Sequence, residues 1–280
     1  MEIRPLSDAA GAEILGADLS KPLDDDSFAQ IHRAWLDNCV IVLRDQNLLP
    51  EHHIAFSRRF GPLSTHVIDQ FLLPGHPEIL RISNKKSETG DNVGLADAGR
   101  YWHSDVSYAQ YPSKGSMLYA LEIPPEGQGG DTLFANMYKA YDALSDEMKA
   151  RLDGLRAAFI ISRKRFKNDN RIKLNDEQMD QTPEVTHPVV RIHPETERKA
   201  LYVNPGHTDH IIGMDPEESR SLLDELHAHS TRPEFVYRHK WRLHDLVFWD
   251  NRCLMHIADP PKPGFDRHMH RTTIEGDRPY

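Results

Sequence analysis

The sequence predicts a mainly β fold with helices on its outside, an antiparallel sandwich or jelly roll. Three observations lead there. Short apolar, β-branched runs recur along the chain, among them Val40-Ile41-Val42-Leu43, Leu246-Val247-Phe248-Trp249 and Met269 to Ile274. Glycine and proline punctuate the stretches between them. Helical periodicity is confined to a few segments, too few to build a helical or doubly wound architecture. The 280 residues contain no internal repeat and no linker-like stretch, so one domain over 1–280 is expected.

Taken in order, residues 3–19 read as strand, turn and extended chain, broken at Gly11 and Gly16. Phe28, Ile31, Trp35 and Leu36 share a helical face, and Asp26 or Ser27 can cap that helix. Asn38 to Leu43 follows as a buried strand. Pro50 suits the first turn of a second helix, with Ile54, Phe56 and Phe60 leading to a stop at Gly61. Glu78 to Ile82 is a strand. Residues 84–100 are polar and glycine-rich and read as a mobile loop, either a lid or binding loop or an ordinary disordered surface loop. Tyr101 to Tyr108 reads as a short strand or its end.

Ser116 to Leu121 and Thr132 to Phe134 are strands, separated by Pro124-Pro125 and a tight Gly129-Gly130-Asp131 turn. Tyr138, Tyr141 and Leu144 mark a short helix, and Ser145 caps another with Asp146 and Glu147 in its first turn. Leu155 to Ile161 is a strand. Residues 162–184 are charged and polar, either a solvated insertion or a second lid. Val185 to Ile192 and Ala200 to Val203 look like paired strands. Asp215-Pro216-Glu217-Glu218 opens a helix whose buried face is Leu222, Leu223 and Leu226. Phe235-Val236-Tyr237 and the two late apolar runs complete the strands.

Composition narrows the function classes. The net charge of −9 disfavours nucleic acid and anionic membrane surfaces as partners. The apolar runs are far shorter than a membrane span, and the start of the chain lacks a signal-peptide core. Cys39 and Cys253 both sit beside apolar stretches and read as small buried hydrophobes, so no disulfide framework is expected and a cytoplasmic location is the default.

Chemistry gathers around Tyr101-Trp102-His103-Ser104-Asp105-Val106. On a strand, His103 and Asp105 share a face and supply two of the three ligands of a facial metal site. His256, emerging from the Trp249-Asp250-Asn251-Arg252 turn, is a candidate third ligand, though taken alone it reads as a core or rim histidine. Arg267 and Arg271 are four apart, so strand geometry places them on one face. Taken alone they read either as surface charges or as inward guanidinium groups, which call for anions, and arginine suits bidentate carboxylate recognition.

His103-Ser104-Asp105, Gly129-Gly130-Asp131-Thr132-Leu133, Trp249-Asp250-Asn251-Arg252, His256 and Arg267-His268-Met269-His270-Arg271 together resemble the TauD/TfdA family of iron(II)- and 2-oxoglutarate-dependent dioxygenases. The resemblance runs from about Phe56 to Gly276. It implies a double-stranded β-helix (jelly roll) and a set of roles. His103, Asp105 and His256 would ligate iron(II). Arg267 and Thr132 would take the distal carboxylate of 2-oxoglutarate. Arg271, His66 and the Val106 amide would meet the anionic group of the substrate. O2 and 2-oxoglutarate would be co-substrates, with succinate and carbon dioxide released.

The pattern departs from the family's taurine enzymes at two places. Gly99 stands near the position of their asparagine, and His207 where they carry a phenylalanine, which implies a more polar pocket. His207 either meets a second polar group of the substrate or faces solvent. Tyr101 and Trp102 either wall the cavity or simply pack. The expected substrate is a small organic anion, a sulfonate such as taurine or an alkyl sulfate. An aryloxyalkanoate or other carboxylate is the alternative. Two further classes stand beside these, a non-catalytic small-anion binding protein and a zinc or manganese hydrolase at the same trio. The sequence leaves a homo-oligomer open.

Overall fold

The computed structural model describes residues 1–96, 99–161 and 182–280. It is mainly β with flanking helices. An eight-stranded sheet has the order β1-β2-β3-β14-β6-β16-β5-β4. Its strands are β1 (Glu2–Pro5), β2 (Ala12–Leu15), β3 (Val40–Leu43), β4 (Leu72–Leu73), β5 (His76–Ser83), β6 (Gly115–Glu122), β14 (Leu246–Asp250) and β16 (His268–Ile274). All pairings are antiparallel except β2 with β3.

A second sheet, β13-β7-β15, joins β13 (Val236–His239), β7 (Thr132–Asn136) and β15 (Leu254–Ala258). A third, β12-β8-β9, joins β12 (Thr208–Ile211), β8 (Arg156–Phe159) and β9 (Val185–Pro188), and β10 (Val190–Ile192) pairs with β11 (Lys199–Leu201).

The centre of the large sheet, β3, β6 and β14, is buried on both faces, which is why those strands are largely apolar without polar alternation, whereas the edge strand β1 is exposed. Val40, Val42, Leu118, Ala120, Val247 and Trp249 belong to one core cluster with Phe134 and Leu254 of the second sheet. Their neighbours Ile41, Leu43, Met117, Tyr119, Leu246 and Phe248 belong to the other cluster. That second cluster is covered by α1 (Asp25–Asn38) and α2 (Pro50–Arg58), where Trp35 stacks on Phe248 at 4.3 Å. On the first face, Trp249 reaches Phe134 at 5.6 Å and His256 at 4.8 Å, so the two sheets close on each other there.

Short helices α3 (Met137–Asp142) and α4 (Asp146–Leu152) follow β7, and α5 (Pro216–Ser230) precedes β13. Ser145 caps α4 as its sequence indicates, and Asp215 caps α5 by accepting from the Glu217 and Glu218 amides. The cap of α1 is Asp24, two residues before Asp26 and three before Ser27, because its carboxylate reaches the Ser27 amide at 2.8 Å. The expected strand over Val185 to Ile192 is two strands. β9 pairs with β8, and only β10 pairs with β11.

Within the expected loop 84–100, of which 97 and 98 lie outside the described residues, 84–96 is more ordered than a polar loop suggests. Lys86 and Asn92 form a β-bridge, and Leu95 N donates to Arg81 O at 2.9 Å, folding the segment back on β5. Most of the other expected lid, residues 162–181, lies outside the described residues.

Candidate active site

Tyr101 to Tyr108 is not a regular strand. His103 makes a single antiparallel bridge to His256 of β15, through His103 N to His256 O at 3.0 Å and His256 N to His103 O at 2.8 Å. The chain then turns, and Val106 takes a left-handed φ of 57°. That conformation is costly for a β-branched residue and typical of functional turns. Bridge and turn, rather than a shared strand face, bring His103 and Asp105 together.

The bridge sets the two imidazoles side by side, with ring centroids 4.2 Å apart. His103 Nδ1 donates to Tyr101 O at 2.8 Å, since a carbonyl can only accept, and this leaves the Nε2 lone pair facing inward. Nε2 is 3.6 Å from Asp105 Oδ1, and His256 Nε2 is 3.9 Å from Asp105 Oδ2. One ligand atom from each residue lies within 4.8 Å of the others, and all three side chains are buried. Burial favours a protonated Asp105, but the Arg271 guanidinium and the two imidazoles outweigh it and hold the carboxyl well below its usual range. Burial, with His103 beside it, pushes His256 well below the ordinary imidazole value, so that ring is neutral. A second buried group, His193, Asp250 and Cys253, is internally satisfied. His193 Nε2 and the Arg252 guanidinium both bond Asp250, and His193 Nδ1 accepts from the backbone.

Both arginines are buried on this side. Arg267 directly precedes β16, and burial pushes its guanidinium down to about 10. Its Nε has no hydrogen-bond partner among the described residues. The Trp241 ring lies 5.7 Å from that guanidinium, and Trp241 Nε1 donates to Thr132 Oγ1 at 3.0 Å, so Thr132, Trp241 and Arg267 gather at one end. Arg271, inside β16, donates from Nη1 to Asp105 Oδ1 at 3.0 Å.

Burial, then Arg271, pushes His66 down to about 3, and the Ile68 amide donates to its Nδ1 at 3.1 Å, so the neutral ring carries its proton on Nε2. His207 is buried rather than facing solvent. Its Nδ1 meets Ser107 Oγ at 2.9 Å, and its ring stands 5.9 Å from His103. Tyr108 and Tyr101 flank it at 5.0 and 6.1 Å. Gly206 is required beside it, because a Cβ there would come within 2.5 Å of the Tyr101 ring and 2.9 Å of His103 Cβ. Gly99, at φ +74°, would place a Cβ 3.2 Å from His103 Cε1.

Trp241, Tyr108, Ser116 and Asn251 border the site without being expected there. Asn251 stood within a recognised motif. The other three carry no local signal, being an aromatic or a serine in an ordinary setting.

Comparison with known proteins follows the same lines. The family described as "Taurine catabolism dioxygenase TauD, TfdA family" matches residues 2–273. The alpha-ketoglutarate-dependent 2,4-dichlorophenoxyacetate dioxygenase of Cupriavidus pinatubonensis is 37% identical, over 96% of this chain and 95% of its own. The crystal structure of a taurine dioxygenase from Burkholderia xenovorans superposes with a TM-score of 0.82 at 37% identity, covering 99% of this chain and 92% of that one. The structure of AAD-2 in complex with Mn(II) and N-oxalylglycine gives a TM-score of 0.83 at 34% identity, covering 99% and 98%.

Proposed function

The chain belongs to the TauD/TfdA family and is a 2-oxoglutarate-dependent dioxygenase, and on that premise we propose how its own residues carry the reaction. His103, Asp105 and His256 hold iron(II), Arg267 and Thr132 take the distal carboxylate of 2-oxoglutarate, and Arg271, His66 and the Val106 amide receive the anionic group of the substrate. The observation that carries this reading is the trio of buried ligand atoms within 4.8 Å, with the Arg271 guanidinium on Asp105 and the Nε of buried Arg267 without a partner among the described residues.

The donor set fits the metal. Two imidazole nitrogens and one carboxylate are the facial arrangement that leaves positions open on iron(II). The pocket around Arg267 fits a carboxylate, because an uncompensated buried cation is expensive until an anion arrives. Bound iron would supply the oxygen chemistry, which with O2 and 2-oxoglutarate yields succinate, carbon dioxide and hydroxylated substrate. The protein's part is placement and the exclusion of bulk water. Arg271 grips the Asp105 carboxylate while its Nε remains without a partner among the described residues, so one side chain ties the substrate's anion to the metal ligand. His66 offers its Nε2 proton to the same anion. His207 places a polar ring beside His103 and meets a second polar group of the substrate.

The large sheet closing on β13-β7-β15 is read as the double-stranded β-helix of a single domain. The substrate is a small organic anion, with a sulfonate or alkyl sulfate as the leading class. An aryloxyalkanoate is the second reading, favoured by the buried polar His207 and by the 2,4-dichlorophenoxyacetate relative. Two buried free cysteines suit a reducing, cytoplasmic setting, and no helix among the described residues is long and apolar enough to cross a membrane.

The test has two arms. Anaerobic addition of iron(II) and 2-oxoglutarate should give the weak visible charge-transfer band of the chelate. A succinate-release screen across small sulfonates, sulfate esters and aryloxy acids should then identify the class. No band, and no succinate with any of them, would overturn the assignment.

A further inference from the structure

Asp105 is held by more than charge. Asn251 follows β14 and is 1% exposed, and three of the four hydrogen bonds of its side chain go to Asp105 or to the serines that support it, the fourth to Trp249. Oδ1 accepts from Asp105 N at 3.1 Å and from Trp249 Nε1 at 3.0 Å. Nδ2 donates to Ser113 Oγ and to Ser116 Oγ, each at 3.0 Å. Ser113 Oγ in turn donates to the Asp105 carbonyl at 2.9 Å, and Ser116 Oγ donates to Asp105 Oδ2 at 2.7 Å.

The direction of every bond is fixed by chemistry. A peptide N–H and an indole N–H can only donate, so the atom between them is the amide oxygen. A carbonyl and a carboxylate can only accept, so each serine gives its proton to Asp105 and takes one from Asn251. An amide offers two donor and two acceptor positions, and all four are used.

We propose that Asn251, acting through Ser113 and Ser116, is a positioning residue for the metal-binding carboxylate. It fixes Asp105 at its N–H, its carbonyl and one carboxylate oxygen. The clamp also over-determines the turn in which Val106 sits at φ 57°, a conformation that persists only where surrounding bonds impose it. Ser116 donates to Oδ2 and Arg271 to Oδ1, so each carboxylate oxygen keeps one fixed donor and a second lone pair that would be available to a metal. The proposal rests on Asp105 being a ligand.

The test uses Mn(II) as the probe, with free ion counted by its EPR signal and the Tm of the metal-free protein measured alongside. Ser116→Ala removes one hydroxyl, Asn251→Ala removes the clamp and Asp105→Ala removes the ligand. Ser57→Ala, which deletes a buried hydroxyl of α2 away from the turn, is the control. Ser116→Ala should weaken Mn(II) binding about tenfold or more, the usual effect of losing a group that orients a ligand. Asn251→Ala should weaken it further, and Ser57→Ala should leave it unchanged even where Tm falls. Wild-type Mn(II) affinity in Ser116→Ala, with affinity lost in Asp105→Ala, overturns the positioning role alone. Wild-type affinity in Asp105→Ala overturns the ligand assignment first. Should Asn251→Ala fail to fold, Ser116→Ala decides by itself.

Discussion

Arg271 Nη1 lies 3.0 Å from Asp105 Oδ1, so the side chain proposed to hold the substrate's anion already grips the carboxylate proposed to ligate the metal. In the metal-free protein that guanidinium is the main charge keeping Asp105 ionised against burial. Arg271→Ala should therefore destabilise the metal-free protein by about 3–5 kcal/mol, the cost of stranding one member of a buried pair. Added Mn(II) should restore more of the melting temperature in the variant than in the wild type, since the ion replaces the lost positive charge. Equal gains in both proteins would show that the pair does not support Asp105. Among folded variants, substrate binding should fall more than 2-oxoglutarate binding, and equal losses would undo the division between the two arginines.

Arg267 behaves in the opposite way. Its guanidinium is buried, and its Nε has no hydrogen-bond partner among the described residues. Replacing such a charge with an apolar side chain of similar length is often neutral or stabilising. Arg267→Met should hold or raise Tm while weakening 2-oxoglutarate binding roughly 100-fold, about the 3 kcal/mol at the upper end for a charge-assisted hydrogen bond. A titration of the iron chelate band against 2-oxoglutarate measures this. A variant that binds 2-oxoglutarate normally would remove Arg267 from the cofactor pocket.

His53 sets part of the acid limit of the fold. Burial, with His270 nearby, pushes its imidazole down to about 3, and its Nε2 meets Thr272 Oγ1 at 3.1 Å between α2 and β16. The unfolded chain binds a proton near pH 6.5 and the folded chain does not, so the unfolded state carries more protons between those values. The contribution is fully present above about pH 6.5 and is lost as pH falls toward 3, at about 1.4 kcal/mol per pH unit. Denaturant melts of wild type and His53→Gln from pH 7 to 5 should show a shallower slope in the variant. Identical slopes would mean that His53 titrates normally.

Gly206→Ala should damage the site more than the fold. A Cβ at 2.5 Å from Tyr101 and 2.9 Å from His103 must push one of them, a strain of about 1–3 kcal/mol. The expected result is a modest loss in Tm with a larger loss in Mn(II) affinity. An unchanged affinity would show that Tyr101 yields and His103 stays in place.

The legible parts of this molecule were those with a local cause. Apolar runs such as Val40 to Leu43 read as strands because both faces of the large sheet are buried at its centre, and Asp215-Pro216 read as a helix start because the cap is made within three residues. The ligand residues were legible through the motif pattern, but the geometry joining them was not. A period-two argument placed His103 and Asp105 on one strand face, whereas a single bridge and a left-handed residue bring them together. Ser116 and Trp241 were missed because what commits them is a partner far along the chain: Asp105 and Asn251 for one, Thr132 for the other. The loop reading of 84–100 overlooked the backbone bond from Leu95 to Arg81, which no side-chain pattern announces.

The backbone bridge between His103 and His256 has a practical corollary. Two peptide hydrogen bonds pair these histidines, and neither bond involves a ring nitrogen proposed to coordinate the metal. The ordering entropy of the ligands is spent when the chain folds rather than when the ion enters. A protein of this kind is a preformed receptor, unlike small domains that are unstructured without their metal. Chelation should strip it to an intact apoprotein, and a fresh ion, native or spectroscopic surrogate, should reload it without refolding.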